Sequence, residues 1–169
     1  MTLQSLRYRS WRLRVTVADS ARDLGVLIDS CLTMAEHVSA ICRSGFFQLR
    51  QLRHVARSLT ADAAKTIVHA FVACRLDYCN SMLHGITDSL FRRLQSIQNA
   101  AARLITGTRR RDHITRVLRD LHWLPVRRRV DYKLALLVYK SLHGLAPPYL
   151  AETYKLARLA CSQIGRAHV

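Results

Sequence analysis

Residues 88–106 read DSLFRRLQSIQNAAARLIT. At about 100° per residue, the apolar side chains of this stretch fall on one side of a helix, and they are Leu90, Leu94, Ile97, Ala101 and Leu104. Thr87 stands immediately before the stretch and is of a type that favours the N-cap position. The stretch therefore predicts an amphipathic helix that buries one face and leaves the other exposed.

The opposite face of this helix carries hydrogen-bond donors suited to phosphate or sugar, namely Arg92, Ser96, Asn99 and Arg103. A merely solvated face would mix both signs of charge. Here no acidic residue occurs between Asp88 and Asp112, and the run Arg109, Arg110 and Arg111 follows the helix. The pattern favours contact with a polyanion, with the arginine run forming either a flexible basic loop or a defined clamp.

Helical patterns continue on both sides of this stretch. Thr33 and Glu36 have capping-box spacing, Thr60 is a second N-cap candidate, and Pro125 and Gly144 bracket a later helix. These signals predict helices over 33–57, 60–83, 88–106, 113–121, 126–143 and 148–159. Within 60–83 we expect a central, largely buried helix. Its main apolar face is Ala64, Ile67, Phe71, Cys74, Tyr78 and Met82, and Val68, Val72 and Leu76 widen that face.

The N-terminal residues have a different pattern. Residues 12–17 alternate apolar and polar side chains, and residues 24–28 form a short apolar run; both patterns are typical of strands. The predicted fold class is therefore mainly α: a bundle of about five to six helices with a short N-terminal β-hairpin.

Two further predicted helices carry cations on their outer faces. In 33–57, Arg43, Arg50 and Arg57 recur every seven residues with Arg53 beside them. In 126–143, Arg129 and Lys133 share one flank. Together with the donors of 88–106 and the run 109–111, these are the candidate nucleic-acid-binding residues.

The net charge supports this interpretation. The chain has 169 residues and a formal charge of +16, from 27 Lys plus Arg against 11 Asp plus Glu, and 23 of the cations are arginine. Arginine makes forked contacts with phosphate, so nucleic acid is the favoured partner and an anionic membrane surface is the alternative. Half of the chain is hydrophobic, which excludes a disordered basic tail.

The sequence lacks the patterns that mark membrane-spanning, secreted or metal-binding proteins. No apolar stretch reaches the roughly 20 residues of a membrane span, and no signal-peptide pattern precedes the first strand, so we expect an intracellular protein without a membrane partner. The five cysteines form no CxxC pair and the eight histidines no metal-binding spacing. No catalytic residue, metal site or cofactor is predicted.

Short motifs along the chain resemble a known family when they are taken in order. They are RDLGV at 22–26, FFQLR at 46–50, AF at 70–71, RLDYCN at 75–80, QNAAARL at 98–104, HIT at 113–115, LHWLPV at 121–126 and GLAPPYL at 144–150. The sequence is similar to the C-terminal part of reverse transcriptases encoded by jockey-like, LINE-type retrotransposons, which lack long terminal repeats.

The resemblance implies a domain order and a partner. Residues 1–30 correspond to the edge of the polymerase palm, with Leu24 and Gly25 near the element that grips the primer. Residues 31–110 correspond to the thumb and 111–160 to a C-terminal helical extension, which hold RNA or an RNA–DNA hybrid. The missing palm is a further partner, and the parent complex is a ribonucleoprotein of nucleus and cytoplasm.

The resemblance also implies that this chain is not an enzyme on its own. RNA-directed DNA polymerases bind Mg²⁺ through clustered palm aspartates, including an adjacent Asp-Asp pair that this sequence lacks. Mg²⁺ is therefore expected only for the full-length parent. Two alternatives remain: a helical protein-interaction module with an exposed apolar patch at 15–17 and 24–28, or a translated remnant without a function. Residues 161–169 are expected to be a tail, which from Ile164 matches a translated sequencing adapter.

Overall fold

A computed structural model of the protein describes residues 18–153, apart from the side chains of residues 57 and 61. The described chain is mainly helical and begins with a two-stranded hairpin, which confirms the predicted fold class. The strands are β1 (Ser20–Asp23) and β2 (Val26–Asp29). The α-helices are α1 (Ala35–Val55), α2 (Ala61–Val68), α3 (Cys74–Asp77), α4 (Asp88–Thr106), α5 (Ile114–Asp120) and α6 (Val126–Leu142). Residues 148–153 are also helical, and the predicted residues 154–159 lie outside the described part.

The hairpin is antiparallel and pairs Ser20 with Asp29 and Asp23 with Val26. Leu24 and Gly25 form its two-residue turn with φ of 45° and 84°, the left-handed conformation of a type I′ turn. The predicted apolar strand at 24–28 is thus confirmed with a shift of one to two residues. The predicted partner at 12–17 lies outside the described residues, and the observed partner is the polar segment Ser20–Asp23, which lacks the alternation that marks a strand.

The predicted capping box of α1 is wrong. The Asp29 carboxylate accepts hydrogen bonds from the backbone N–H groups of Cys31, Thr33 and Met34 at 2.9–3.1 Å and from the Thr33 hydroxyl at 3.0 Å. A charged acceptor binds these donors more strongly than a threonine hydroxyl. The Thr33 N–H is the main cause that lowers the pKa of Asp29. Thr60 and Thr87 both stand at the predicted N-cap positions. The Thr60 hydroxyl accepts from Ala63 N–H at 3.3 Å, whereas the Thr87 side chain makes no capping hydrogen bond.

His37 of α1 joins the hairpin to the helices. It is buried, and its Nδ1 accepts a hydrogen bond from the Leu27 backbone N–H at 3.3 Å. Burial lowers the pKa of His37 below its usual 6.5, and the charge of Arg22 lowers it further. The lowered pKa favours the neutral form of His37, which is the form that the acceptor role requires.

The free energy of unfolding should fall as the pH drops below about 6.5, the ordinary histidine pKa. The unfolded chain takes up a proton at His37 in this range more readily than the folded protein, which favours unfolding. Urea unfolding between pH 5 and 8 measures the effect, and the variant His37→Gln should flatten the dependence. The exposed His84→Gln is the control, and an equal slope in both variants would contradict the assignment.

The main core lies between α1, the α2–α3 segment, α4 and the start of α6. Leu94 and Ala101 of α4 are fully buried, and Leu90 and Ile97 are nearly so. Leu104 packs against the same cluster, so the predicted apolar face of α4 is confirmed. Ala102 of α4 forms a second, smaller cluster with Val117 and Leu118 of α5.

The predicted helix 60–83 differs most from the structure. Residues 69–73 form a π-helical turn between α2 and α3, and a 3₁₀ turn over Asn80–Leu83 follows α3. Ala64 of the predicted main face is buried, and so are Val68, Val72 and Leu76, which were predicted to widen it, whereas Phe71 and Tyr78 are about half exposed. A π-turn adds a residue to one turn, so the side of the segment that faces the core shifts from the predicted main face toward residues spaced by four.

Gln95 and Gln98 of α4 hold the start of α6. Gln98 is almost fully buried, and its amide donates to the Leu124 carbonyl at 2.8 Å. Gln95 accepts from the Val126 backbone N–H at 2.9 Å and donates to Gln98 Oε1. The bond from Val126 occupies a backbone N–H at the N-terminus of α6, where the helix backbone itself offers no hydrogen-bond acceptor.

Within residues 18–153, no helix combines the length and the apolar character that crossing a membrane would require.

Candidate nucleic-acid interface

A surface groove of about 800 Å³ lies between α1 and α4. From α1 it is lined by Ser39, Cys42, Arg43, Phe46, Phe47 and Arg50, and from α4 by Arg93 and Ser96. We refer to these residues as the α1–α4 groove. Arg43, Arg50 and Ser96 were predicted as binding residues on two separate helices, and the fold brings them together.

The periodicity of α1 explains why these side chains share the groove. Ser39, Arg43, Phe46 and Arg50 lie within about 60° of one another around the helix axis. The buried face of α1, which contains Val38, Gly45 and Leu49, lies about 110° away. The helix therefore rests in the core on one side and presents the groove residues along its edge.

Gly45 allows α1 and α4 to approach closely. A Cβ atom at Gly45 would lie 2.9 Å from Cγ2 of Ile97, shorter than van der Waals contact. Next to this crossing, the Arg93 guanidinium donates to the Ser39 hydroxyl at 3.1 Å, and that hydroxyl donates to the Ala35 carbonyl at 2.8 Å. The close approach of the helices at Gly45 and the hydrogen bond from Arg93 to Ser39 thus hold together α1 and α4, which form the two walls of the groove.

The groove is electropositive. Its lining includes three exposed arginines and no acidic residue. The ion pairs found within residues 18–153 join Lys65 to Asp62, Arg127 to Asp88, Arg128 to Asp131 and Arg129 to Asp77. Arg43, Arg50 and Arg93 belong to none of these pairs, so their charges are available to an anionic ligand.

Cys42 lies at the edge of the groove with its thiol buried. Burial raises the pKa of this thiol, while the charge of Arg93 acts in the opposite direction. Because the thiolate is the reactive form of cysteine, the raised pKa favours the less reactive protonated thiol.

The predicted donors of α4 separate into different environments. Arg92 lines a second cleft of about 520 Å³ with Asp88, Phe91, Gln95 and Arg127, where the Arg127 guanidinium stacks 4.6 Å from the Phe91 ring centre. The Asn99 side-chain oxygen accepts from Gln95 at 2.9 Å. Arg103 is half buried, and its Nε lacks a hydrogen-bond partner in the described part of the chain.

Arg129 is a structural residue, which corrects its assignment as a nucleic-acid contact. Its side chain is 15% exposed. Its guanidinium donates to both carboxylate oxygens of Asp77 at 2.8 and 2.9 Å, and it also donates to the Leu124 carbonyl. These bonds tie α6 to the end of α3. Lys133, the other candidate on this helix, is exposed.

The remaining candidates lie elsewhere. Arg109, Arg110 and Arg111 are exposed in the turn after α4, where the Arg109 N–H donates to the Asp112 carboxylate at 2.9 Å. This turn is about 20 Å along α4 from Arg93, at 1.5 Å per residue. Arg53 is exposed near the end of α1, and the side chain of Arg57 lies outside the described part.

Leu24 and Gly25 occupy the tip of the hairpin. Leu24 is 82% exposed, and its carbonyl accepts a 2.5 Å hydrogen bond from the Tyr78 hydroxyl. This bond holds the turn against the start of the 3₁₀ segment. A leucine with positive φ is strained, so the turn depends on this tertiary contact.

Sequence reasoning missed Phe46, Phe47, Arg93 and Ser39 as members of the site. The signal was present in α1, because Ser39, Arg43, Phe46 and Arg50 follow helical spacing. For Arg93 the helical phase gave the opposite indication: Arg93 lies beside the apolar face of α4, whereas the predicted donors, including Arg92, lie opposite that face.

The described residues contain no group of three or more His, Cys, Asp or Glu side chains that could hold a metal ion. Comparisons of the chain with protein-family models, with curated proteins and with solved structures find no match.

Proposed function

We propose that the protein binds RNA or an RNA–DNA template–primer duplex through phosphate contacts, with little dependence on base sequence. The observation that carries the proposal is the α1–α4 groove, which gathers three exposed and unpaired arginines with no carboxylate in its lining. Arginine-rich surfaces of this kind supply the electrostatic part of nucleic-acid affinity.

We propose further that the chain is the palm-edge, thumb and C-terminal helical portion of a jockey-like, LINE-type reverse transcriptase. The eight ordered motifs support this, and a hairpin followed by helices has the element order that the resemblance implies. The domain boundaries near residues 30 and 110 and a ribonucleoprotein in nucleus and cytoplasm belong to the same proposal.

The chain itself carries out no chemistry under this proposal. The parent enzyme's Mg²⁺ needs palm aspartates, and the sequence contains no adjacent Asp-Asp pair. The protein therefore binds the nucleic acid, and polymerisation requires the missing palm.

The alternative of a protein-interaction module receives less support. It required an exposed apolar patch at residues 24–28 and 15–17, of which 15–17 lie outside the described residues. Within 24–28, Val26 is 3% exposed and belongs to the main core, and Ile28 packs against the same core. Leu24 is the one large apolar side chain of residues 24–28 that is exposed. Charged substitutions at Val26 would therefore test the fold and not an interface.

Fluorescence anisotropy with a labelled 20-nucleotide RNA and with an RNA–DNA hybrid tests the proposed function. With three arginines on phosphate, the dissociation constant for single-stranded RNA should rise about 20-fold between 50 and 200 mM NaCl, because each neutralised phosphate releases counterions. Two unrelated sequences of equal length should bind alike. An affinity that does not change with salt would overturn the proposal.

A further inference from the structure

Two adjacent phenylalanines are exposed on the wall of the α1–α4 groove. Phe46 is 42% and Phe47 is 56% exposed, and both line the groove beside Arg43 and Arg50. Large aromatic side chains usually bury most of their area, so two consecutive rings left open between arginines indicate a surface prepared for a partner.

The chemistry of the rings narrows the type of partner. A phenyl ring donates no hydrogen bond, so it can neither bind phosphate nor read the hydrogen-bond pattern of a base edge. It can stack on the flat face of a base, and these faces are accessible only when the base is unpaired. Aromatic rings within a cationic groove are the combination with which proteins hold single strands.

The size and charge of the groove agree with such a ligand. Its volume of about 800 Å³ lies within the range of clefts that enclose small organic groups, about 300–1,000 Å³, and is sufficient for one or two nucleotides. In a complex with such a ligand, the three arginines would contact the backbone and the rings would contact the bases. An acidic peptide would satisfy the arginines and leave the rings without a matching flat surface.

We propose that the α1–α4 groove binds an unpaired strand of RNA or DNA, with bases stacked on Phe46 and Phe47 and phosphates on Arg43, Arg50 and Arg93. This inference rests on the proposed function and adds the form of nucleic acid that the groove selects. The groove then engages single-stranded template in preference to the template–primer duplex.

The variant Phe46→Ala/Phe47→Ala separates this inference from the proposed function. Its affinity for a 12-nucleotide single strand should fall about tenfold or more, since stacking on an aromatic ring contributes strongly for each base. Its affinity for a 12-base-pair hybrid and its salt dependence should stay unchanged, because no charge is removed. Phe71→Ala is the matched control, as Phe71 is 45% exposed and lies outside the groove lining.

A base-free polyanion provides the second arm of the experiment. An abasic oligonucleotide of the same length should bind the native protein and the double variant equally, and more weakly than the native protein binds the base-carrying strand. If the native protein shows no salt-dependent binding to any of the probes, the proposed function is overturned. Salt-dependent binding with equal affinity for strand, hybrid and abasic probe would overturn only the stacking inference.

The variant Phe47→Trp gives a direct measure of stacking that does not depend on the alanine variants. Its added fluorescence should be quenched by the single strand and not by the abasic probe, relative to the native protein with its own two tryptophans. Equal quenching by both probes would contradict base stacking at this position.

Discussion

Replacing Arg43, Arg50 and Arg93 together by glutamine should weaken the binding of single-stranded RNA about a hundredfold at about 0.1 M salt. Each arginine that neutralises a phosphate contributes about 0.7 to the slope of log affinity against log salt. The triple variant should therefore also reduce that slope by about 2. Titrations of labelled RNA at several salt concentrations give both quantities.

A variant with the same loss of charge elsewhere is the control. Arg75→Gln/Arg116→Gln/Lys140→Gln removes three exposed cations outside the groove lining. We expect it to lower the affinity only slightly, through the long-range field. Equal losses in the two triple variants would show that net charge, and not the groove, determines binding. Circular dichroism checks that the triple variant keeps its helices, since the substitution at position 93 removes the guanidinium that donates to Ser39.

Replacing Gly45 by valine should lower the free energy of unfolding by about 1–3 kcal/mol, the usual effect of overpacking a core. The new side chain would meet Ile97, whose Cγ2 lies 2.9 Å from the position of a Cβ atom. Since α1 and α4 form the walls of the groove, RNA binding should weaken as well. Urea unfolding and the RNA titration measure the two effects.

A double-mutant cycle tests whether the contact with Ile97 is the cause. In the native background, Gly45→Ala should destabilise the protein despite the better helix propensity of alanine. In an Ile97→Ala background the obstacle is gone, and the same substitution should stabilise by about 0.5–1 kcal/mol. The same sign in both backgrounds would contradict the close approach of the helices.

The sequence predicted the helices and most of their buried faces correctly because these depend on local spacing. The apolar positions of α4 and the N-cap at Thr60 follow from contacts within four residues along the chain. The predicted buried face between 60 and 83 was confirmed only in part, because the π-turn changes the number of residues per turn. Val68, Val72 and Leu76, which were predicted only to widen that face, lie in the core, whereas Phe71 and Tyr78 of the predicted main face are about half exposed.

The candidate site was predicted only in part. The sequence identified cations without acidic neighbours, and Arg43, Arg50 and Ser96 do meet in one groove. It did not distinguish these from Arg129, which is consumed by Asp77 at a separation of 52 residues. A charge pattern shows which side chains are cationic, whereas their availability depends on where distant carboxylates lie in the fold.

The helical class, the amphipathic faces and the excess of arginine were determined by the sequence alone, because helical spacing and side-chain charge are local properties. The groove, the free state of its arginines and the exposure of Phe46 and Phe47 were decided by the tertiary structure. They arise from the packing of α1 on α4 at Gly45, and such a contact between segments distant in the chain leaves no periodic signal in either segment.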